Sequence, residues 1–258
     1  MPPEIYSQEY FLTECEGHEE FAATRGRTLS LRLQAALELA GVKAGMKVLD
    51  IGCGRGEVVF RCAHLGAEAH GVEYSVAALQ LAGAARSELD IFAEDVRLYQ
   101  ANARSLPFAG RTFDSAFMLD VVEHLYPEEL SQAFQEVYRV LKDGGKLIIH
   151  TMPNMWYYRL GYPLYRLLQR ARGQVLPADP RERWRFVRHV HVNEQNPWHL
   201  RKALQLAGFR PKVWLEATRN YDYEHNAVLR FLMNISTRLP PFKWIFCNDI
   251  LAVAEKQA

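Results

Sequence analysis

Apolar positions along this chain change period repeatedly, and each change marks an element. Near-continuous apolar runs, suited to strands buried on both faces, fall at Val48–Asp50, Ala67–Glu73, Val96–Ala101, Ser115–Leu119 and Lys146–His150. Helical spacing lies between them. Leu29–Leu39 carries the stripe Leu29, Leu33, Ala36, Leu37 and Ala40 and stops at Gly41; Val58–Leu65 stops at Gly66; Val76–Leu89 starts from Ser75 as N-cap. In Leu130–Leu141, Phe134, Val137, Tyr138 and Leu141 share one face, and Asp143-Gly144-Gly145 closes the helix. Strands alternating with helices through short loops predict a doubly wound α/β sheet with right-handed crossovers.

Past Thr151 the alternation breaks. Pro153 to Val192 is an insertion rich in aromatics and arginines. A helix over Pro197–Ala207, a strand over Lys212–Glu216 and a last strand over Asp249–Glu255 continue the sheet pattern. Between the last two strands lies a second insertion, Tyr221 to Phe246, with a helix from about Asn226 to Ser236. The chain therefore divides into an N-terminal arm and helix (1–45), a core (46–152), a cap insertion (153–192) and a C-terminal part of the core (193–258), which holds the second insertion at 217–246.

The most informative stretch is MKVLDIGCGRGE, Met46 to Glu57. Gly52, Gly54 and Gly56 turn the backbone between a strand and a helix start, where side chains are absent and N–H groups are unpaired. That is the geometry of a nucleotide pocket at the carboxyl end of an open sheet. The spacing is G-x-G-x-G, with Asp50 two residues ahead, and not the G-x-G-x-x-G of a dinucleotide fingerprint. A carboxylate there repels a pyrophosphate and suits a ligand bearing an ammonium group. Glu73, ending the second strand, can accept from both hydroxyls of a ribose.

VLDIGCGRG and GVEYS at 71–75 resemble the first motif and the ribose-binding strand end of class I S-adenosylmethionine-dependent methyltransferases. YFLTECEGHEEF followed by DIGCGRGEVV is similar to bacterial members of the UbiE-like, methyltransferase-11-type grouping associated with cell-surface glycans. The resemblance covers 46–150 well and 189–216 weakly, and neither insertion carries it. It implies a Rossmann-like sheet, mostly parallel, whose last strand runs antiparallel beside the fifth, with helical cap insertions added. It also implies S-adenosyl-L-methionine as cofactor. Asp50, Gly52, Gly54 and Glu73 would hold it, with Cys53, Gly56 and Tyr74 beside them. The Leu119 carbonyl would sit near its amine, Asn102 and Ala103 at its adenine, and Tyr10 or Phe11 of the arm over it. Simple packing of the arm on the domain explains the same aromatics.

Methyl transfer to an alcohol needs a group to take the proton, whereas the sulfonium methyl is already electrophilic. Asp120, His124, His150, His189, His191 and several tyrosines are available, and His124, just after the fourth strand, ranks first with Asp120 beside it. Asp120, Glu123 and His124 also approximate an E-x-x-E-H cluster. That cluster binds a divalent metal in ubiquinone-pathway O-methyltransferases and in small-RNA 3′-terminal 2′-O-methyltransferases. The V-x-E-H-L string also occurs in metal-free relatives, and no metal is expected here.

Arg159, Arg166, Arg170, Arg172, Arg181, Arg183, Arg185 and Arg188 crowd the first insertion against only Asp179 and Glu182. Leu164, Leu167, Leu168 and Ala171 form one helical face there; in the second insertion Val228, Phe231, Leu232, Ile235 and Leu239 form another. Arginine forks suit phosphate or carboxylate, and a basic amphipathic helix suits an anionic membrane surface. The expected partner is thus a small-molecule, glycan or lipid-linked acceptor of anionic character, with peripheral membrane contact.

A formal charge of +1 over 258 residues argues against a nucleic-acid partner. Cys15, Cys53, Cys62 and Cys247 lack metal or disulfide spacing, and MPPEIYSQEYF lacks a signal pattern. Both point to a cytoplasmic setting, peripheral at the inner membrane face. The leading reading is O-methylation. Its rivals are a metal-dependent RNA 3′-terminal 2′-O-methyltransferase and a cofactor-binding scaffold without catalysis.

Overall fold

The computed structural model describes residues 3–89, 96–183, 187–218 and 225–257; Arg185 and part of the second insertion (219–224) lie outside the described residues. The arm forms helices α1 (Gln8–Thr13) and α2 (His18–Thr24), followed by α3 (Leu31–Ala40). The core then runs β1 (Lys47–Ile51), α4 (Glu57–His64), β2 (Glu68–Glu73), α5 (Val76–Glu88), β3 (Val96–Gln100) and β4 (Phe113–Leu119). A 3-10 turn at Val122–His124 leads to α6 (Pro127–Val140) and β5 (Leu141–Thr151). The cap holds a π-helical turn (Tyr157–Gly161), α7 (Tyr162–Ala171) and α8 (Val187–Val190). The chain ends with α9 (Pro197–Leu206), β6 (Phe209–Leu215), α10 (Ala227–Ser236), α11 (Phe242–Phe246) and β7 (Ile250–Lys256).

The seven strands lie in the order β3-β2-β1-β4-β5-β7-β6. β1 to β5 pair in parallel, and β7 is antiparallel to both β5 and β6, so the last strand is inserted where the resemblance implied. The order reverses between β1 and β4, which opens a crevice at their carboxyl ends. One face of the sheet packs Leu130, Phe134 and Val137 of α6 and Leu200 and Leu204 of α9. The other packs Leu33 and Ala36 of α3, Val58, Val59 and Phe60 of α4, and Ala82 and Ala85 of α5.

Three boundaries differ from the periodicity. α6 begins at Pro127, ahead of Leu130, because proline suits the first helical turn and the Glu129 carboxylate accepts from the Tyr126 N–H at 3.1 Å. Asp143-Gly144-Gly145 does not cap a helix; it lies inside β5, where the register against β4 slips between Phe113↔Leu141 and Ser115↔Lys146. The aromatic, acidic arm is helical, its α1 capped by the Ser7 hydroxyl accepting from the Tyr10 N–H.

Candidate active site

The glycine loop leaves β1 between buried walls. Gly52 (φ +73°) packs so tightly on Val121 that any Cβ would collide with it, and Gly56 (φ +87°) caps α4 against the Phe60 ring. The Val72 carbonyl accepts from the Gly52 and Cys53 N–H groups at 2.7 and 3.1 Å, pinning the loop to β2. Glu73 completes the frame: Oε2 accepts from Gly54 N–H (3.0 Å), and Oε1 from Tyr74 and Ser75 N–H (2.6 and 2.8 Å). Burial raises its pKa, opposed by those three backbone donors.

Asp50 is also buried, yet its carboxylate has no hydrogen-bond or ion-pair partner among the described residues. Burial, with the charges of Glu73 and Glu57 added, pushes its pKa up to about 8. An uncompensated buried carboxylate beside a side-chain-free loop fits the ammonium end of an aminoacyl nucleoside, and Glu73 retains lone pairs for ribose hydroxyls.

Of the other expected contacts, Leu119 ends β4 nearly buried, the Cys53 thiol is buried with its pKa raised, and the Tyr74 side chain is 37% exposed. Asn102 Oδ1 accepts from the Arg104 N–H and Nε at 3.0 and 3.2 Å, so this amide braces its own turn; Ala103 follows in the same turn.

The arm crosses this loop. The Phe11 ring lies against Gly54, Tyr10 packs edge-on to Tyr6 and Phe11, and the Ser75 hydroxyl donates to the Tyr6 carbonyl at 2.7 Å. Two arginines absent from the expected site hold it there. Arg55, from the glycine loop itself, donates to the Phe11 and Glu16 carbonyls (2.7 and 2.9 Å), pairs with Glu57 and sits 4.9 Å from the centre of the Phe21 ring. Arg32 of α3 pairs with Glu16 at 3.0 Å and with Asp120 at 2.5 Å. The sequence signal was present: a bulky cation between two loop glycines, and an acidic arm in need of counter-charges.

Asp120, a catalytic candidate by sequence, is engaged elsewhere. At φ +55° it turns to a buried cluster, one oxygen on Arg32 and the other on His150 Nδ1 at 2.5 Å, while His150 Nε2 meets Asp249 at 3.2 Å. Burial opposes both charges, but the pairing outweighs it. Asp120 is held below the usual carboxylate range by Arg32 and His150, and His150 is raised to about 10 by Asp120 and Asp249. His150 thus stays protonated, and both Asp120 oxygens are held by cations, so neither group is placed to abstract a proton.

His124 stands apart from that cluster. Its Nδ1 lies 3.3 Å from the Tyr6 hydroxyl and its ring packs edge-on to His191. Burial lowers its pKa to about 4 and that of His191 to about 3, so both imidazoles are neutral near pH 7. Glu123 is buried, accepts from the Thr151 hydroxyl at 2.8 Å and is raised to about 8 by burial and then by Asp120. Its carbonyl accepts from Val192 and Asn193 N–H, fastening the end of the cap. His189 is exposed on α8. Glu123, His124 and His191 offer ligand atoms within 4.8 Å of one another, a trio that excludes Asp120.

A protein-family model described as a methyltransferase domain matches residues 49–149, from the glycine loop to the end of β5. The chain is similar to the ubiquinone biosynthesis O-methyltransferase of Alkalilimnicola ehrlichii, 26% identical over 206 residues, or 78% of each chain. It is an S-adenosylmethionine-dependent methyltransferase. A second relative of this UbiE-like type, the ubiquinone/menaquinone biosynthesis C-methyltransferase UbiE of Rhizobium etli, is 33% identical over 107 residues, so the methyltransferase chain spans only about two-fifths (41%) of that relative. Its fold is shared with phosphoethanolamine N-methyltransferase 2 of Haemonchus contortus in complex with S-adenosyl-L-methionine. That similarity has a TM-score of 0.64 and 20% identity, and it covers 98% of this chain and 60% of that one. The cofactor of this methyltransferase is S-adenosyl-L-methionine, and the Asp50–Glu73 frame fits it.

Proposed function

We propose that this methyltransferase acts on an oxygen of a small-molecule, glycan or lipid-linked acceptor of anionic character, with His124 as the base. The observation that carries the reading is an imidazole kept neutral near pH 7, just past the carboxyl end of β4, with a tyrosine hydroxyl 3.3 Å from Nδ1. S-adenosyl-L-methionine supplies an electrophilic methyl on a sulfonium. Asp50 and Glu73 would hold its amine and ribose, and the arm would exclude water above the glycine loop. His124 would take the proton of the acceptor hydroxyl as that oxygen is methylated, and would pass it on to solvent. Tyr6, whose pKa is raised by burial and then by Glu73, stays a phenol and orients the ring. The relatives support an acceptor of small-molecule or lipid-like class, since their names include ubiquinone-pathway and sterol methyltransferases.

The experiment is methyl transfer from labelled S-adenosyl-L-methionine to phenolic, glycan and polyprenyl-linked alcohols, read by mass spectrometry, with calorimetric titration of S-adenosylhomocysteine. His124→Ala should lower kcat by roughly 10²–10⁴-fold at unchanged S-adenosylhomocysteine affinity, while Glu73→Ala should weaken that affinity by roughly 10–100-fold. A carbon- or nitrogen-methylated product formed at full rate by His124→Ala rules the oxygen reading out.

A further inference from the structure

Beyond the Asp50–Glu73 frame and His124, the molecule presents a second surface. Segments 152–178 and 225–248 contain no aspartate or glutamate, yet hold Arg159, Arg166, Arg170, Arg172, Arg230, Arg238 and Lys243. The two segments meet. The Asn154 N–H donates to the Asn248 carbonyl at 2.8 Å, Asn154 Nδ2 donates to the Cys247 carbonyl at 3.0 Å, and Gly161 is pressed onto the Ile245 carbonyl with no room for a Cβ.

Their helices are turned the wrong way round for a core. In α7 two hydrogen-bonding side chains face inward: Gln169 is buried and donates to the Tyr165 hydroxyl at 2.7 Å, and the Tyr162 hydroxyl donates to the Pro177 carbonyl at 2.9 Å. Its leucine stripe faces out, with Leu164 53%, Leu167 66% and Leu168 40% exposed. α10 buries no residue at all, and Val228, Phe231 and Leu232 are 69%, 61% and 55% exposed, with Phe242 and Trp244 of α11 also more than half exposed.

Two helices of touching segments, both with apolar stripes outward, indicate an apolar medium beyond the chain. We infer that this surface docks on an anionic lipid bilayer. Leucine, phenylalanine and tryptophan side chains enter the headgroup–acyl boundary, and the arginine stems lie along them with their charges at the phosphates. Charge selects the occupant. A second copy, meeting the same face, would bring seven cations against seven with no acid in either segment. An anionic bilayer answers both the greasy stripe and the cations at once. No helix among the described residues is long and apolar enough to cross a membrane, so the attachment is interfacial. The docking does not depend on which atom is methylated. It does place the bilayer on the cap insertion (153–192), whose far end is fastened to Glu123, beside His124.

Cosedimentation of the full chain with vesicles of phosphatidylcholine alone, and of phosphatidylcholine with phosphatidylglycerol, tests this. Binding should be confined to the anionic vesicles, or far stronger on them, and should weaken with salt. Leu167→Glu/Phe231→Glu should abolish it, and Arg159→Gln/Arg170→Gln should weaken it by roughly tenfold or more. All four positions are exposed, so unfolding midpoints and S-adenosylhomocysteine affinity should match the parent. Failure to bind either vesicle, or equal binding by parent and both variants, overturns the inference. So does a dimer that the Leu167→Glu/Phe231→Glu pair dissociates in the absence of vesicle binding, which would make the face a protein interface.

Discussion

α6 and α7 are both strongly amphipathic helices, and they use that property in opposite directions. α6 buries Leu130, Ala133, Phe134 and Val137 against the sheet and leaves its glutamates outside. α7 buries Tyr162 and Gln169 and leaves its leucines in the open. An apolar stripe therefore states that a helix needs an apolar neighbour, not that the neighbour belongs to the same chain. The core around β1 to β5 satisfies its stripes internally and keeps its polar residues for the crevice. The cap satisfies its polar residues internally and keeps its stripes for the outside.

The sharpest way to break this contrast is to truncate one side chain in each helix. Phe134→Ala should cost roughly 3–5 kcal/mol of stability in urea unfolding, through lost burial and the cavity left behind. Leu167→Ala should change it by no more than about 0.5 kcal/mol. Equal losses would mean that the α7 stripe is packed after all.

The arm offers a smaller test of how the core closes its own crevice. Arg55→Met leaves Glu57 buried and unpaired and removes the bonds to Phe11 and Glu16, a loss of roughly 3 kcal/mol. Because Arg55 joins the arm to the loop, amide exchange should accelerate selectively in α1 and α2 while the strands keep their protection. Uniform acceleration would show that the arm is part of the cooperative core.

The smallest effect lies in pH dependence, and it belongs to the core alone. His150 has its pKa raised to about 10, above its unfolded value, so its contribution is complete below about 6.5 and fades as pH rises through 10. Glu123 and Asp50, raised to about 8, tilt stability in the same direction below that pH. Unfolding midpoints should fall between pH 8 and 10, and His150→Gln should make the slope shallower by at most about 1.4 kcal/mol per pH unit. The cap variant Leu167→Ala should leave that slope unchanged.

Much of this was legible before any coordinates. The order of elements through β5 and the Asp50–glycine–Glu73 frame follow from local pattern, and the antiparallel last strand from the family resemblance alone. Strand burial on two faces and a side-chain-free loop leave marks within a few residues of one another. Boundaries near Pro127 and Gly144-Gly145 were misplaced because a cap and a bulge use the same residue types.

What only the tertiary structure decided was which charges meet. Asp120 and His124 are four residues apart, yet Asp120 is claimed by Arg32 and His150, and His124 by the company of Tyr6 and His191. Arg55 lies inside the most readable motif of the chain, but its work is done on carbonyls 44 and 39 residues away. The direction of the α7 stripe was equally hidden, since periodicity gives the angle between faces and not which one meets the fold. Local spacing determines which side chains share a loop or a face. Long-range contacts determine whether a charge is neutralised and whether a face is covered.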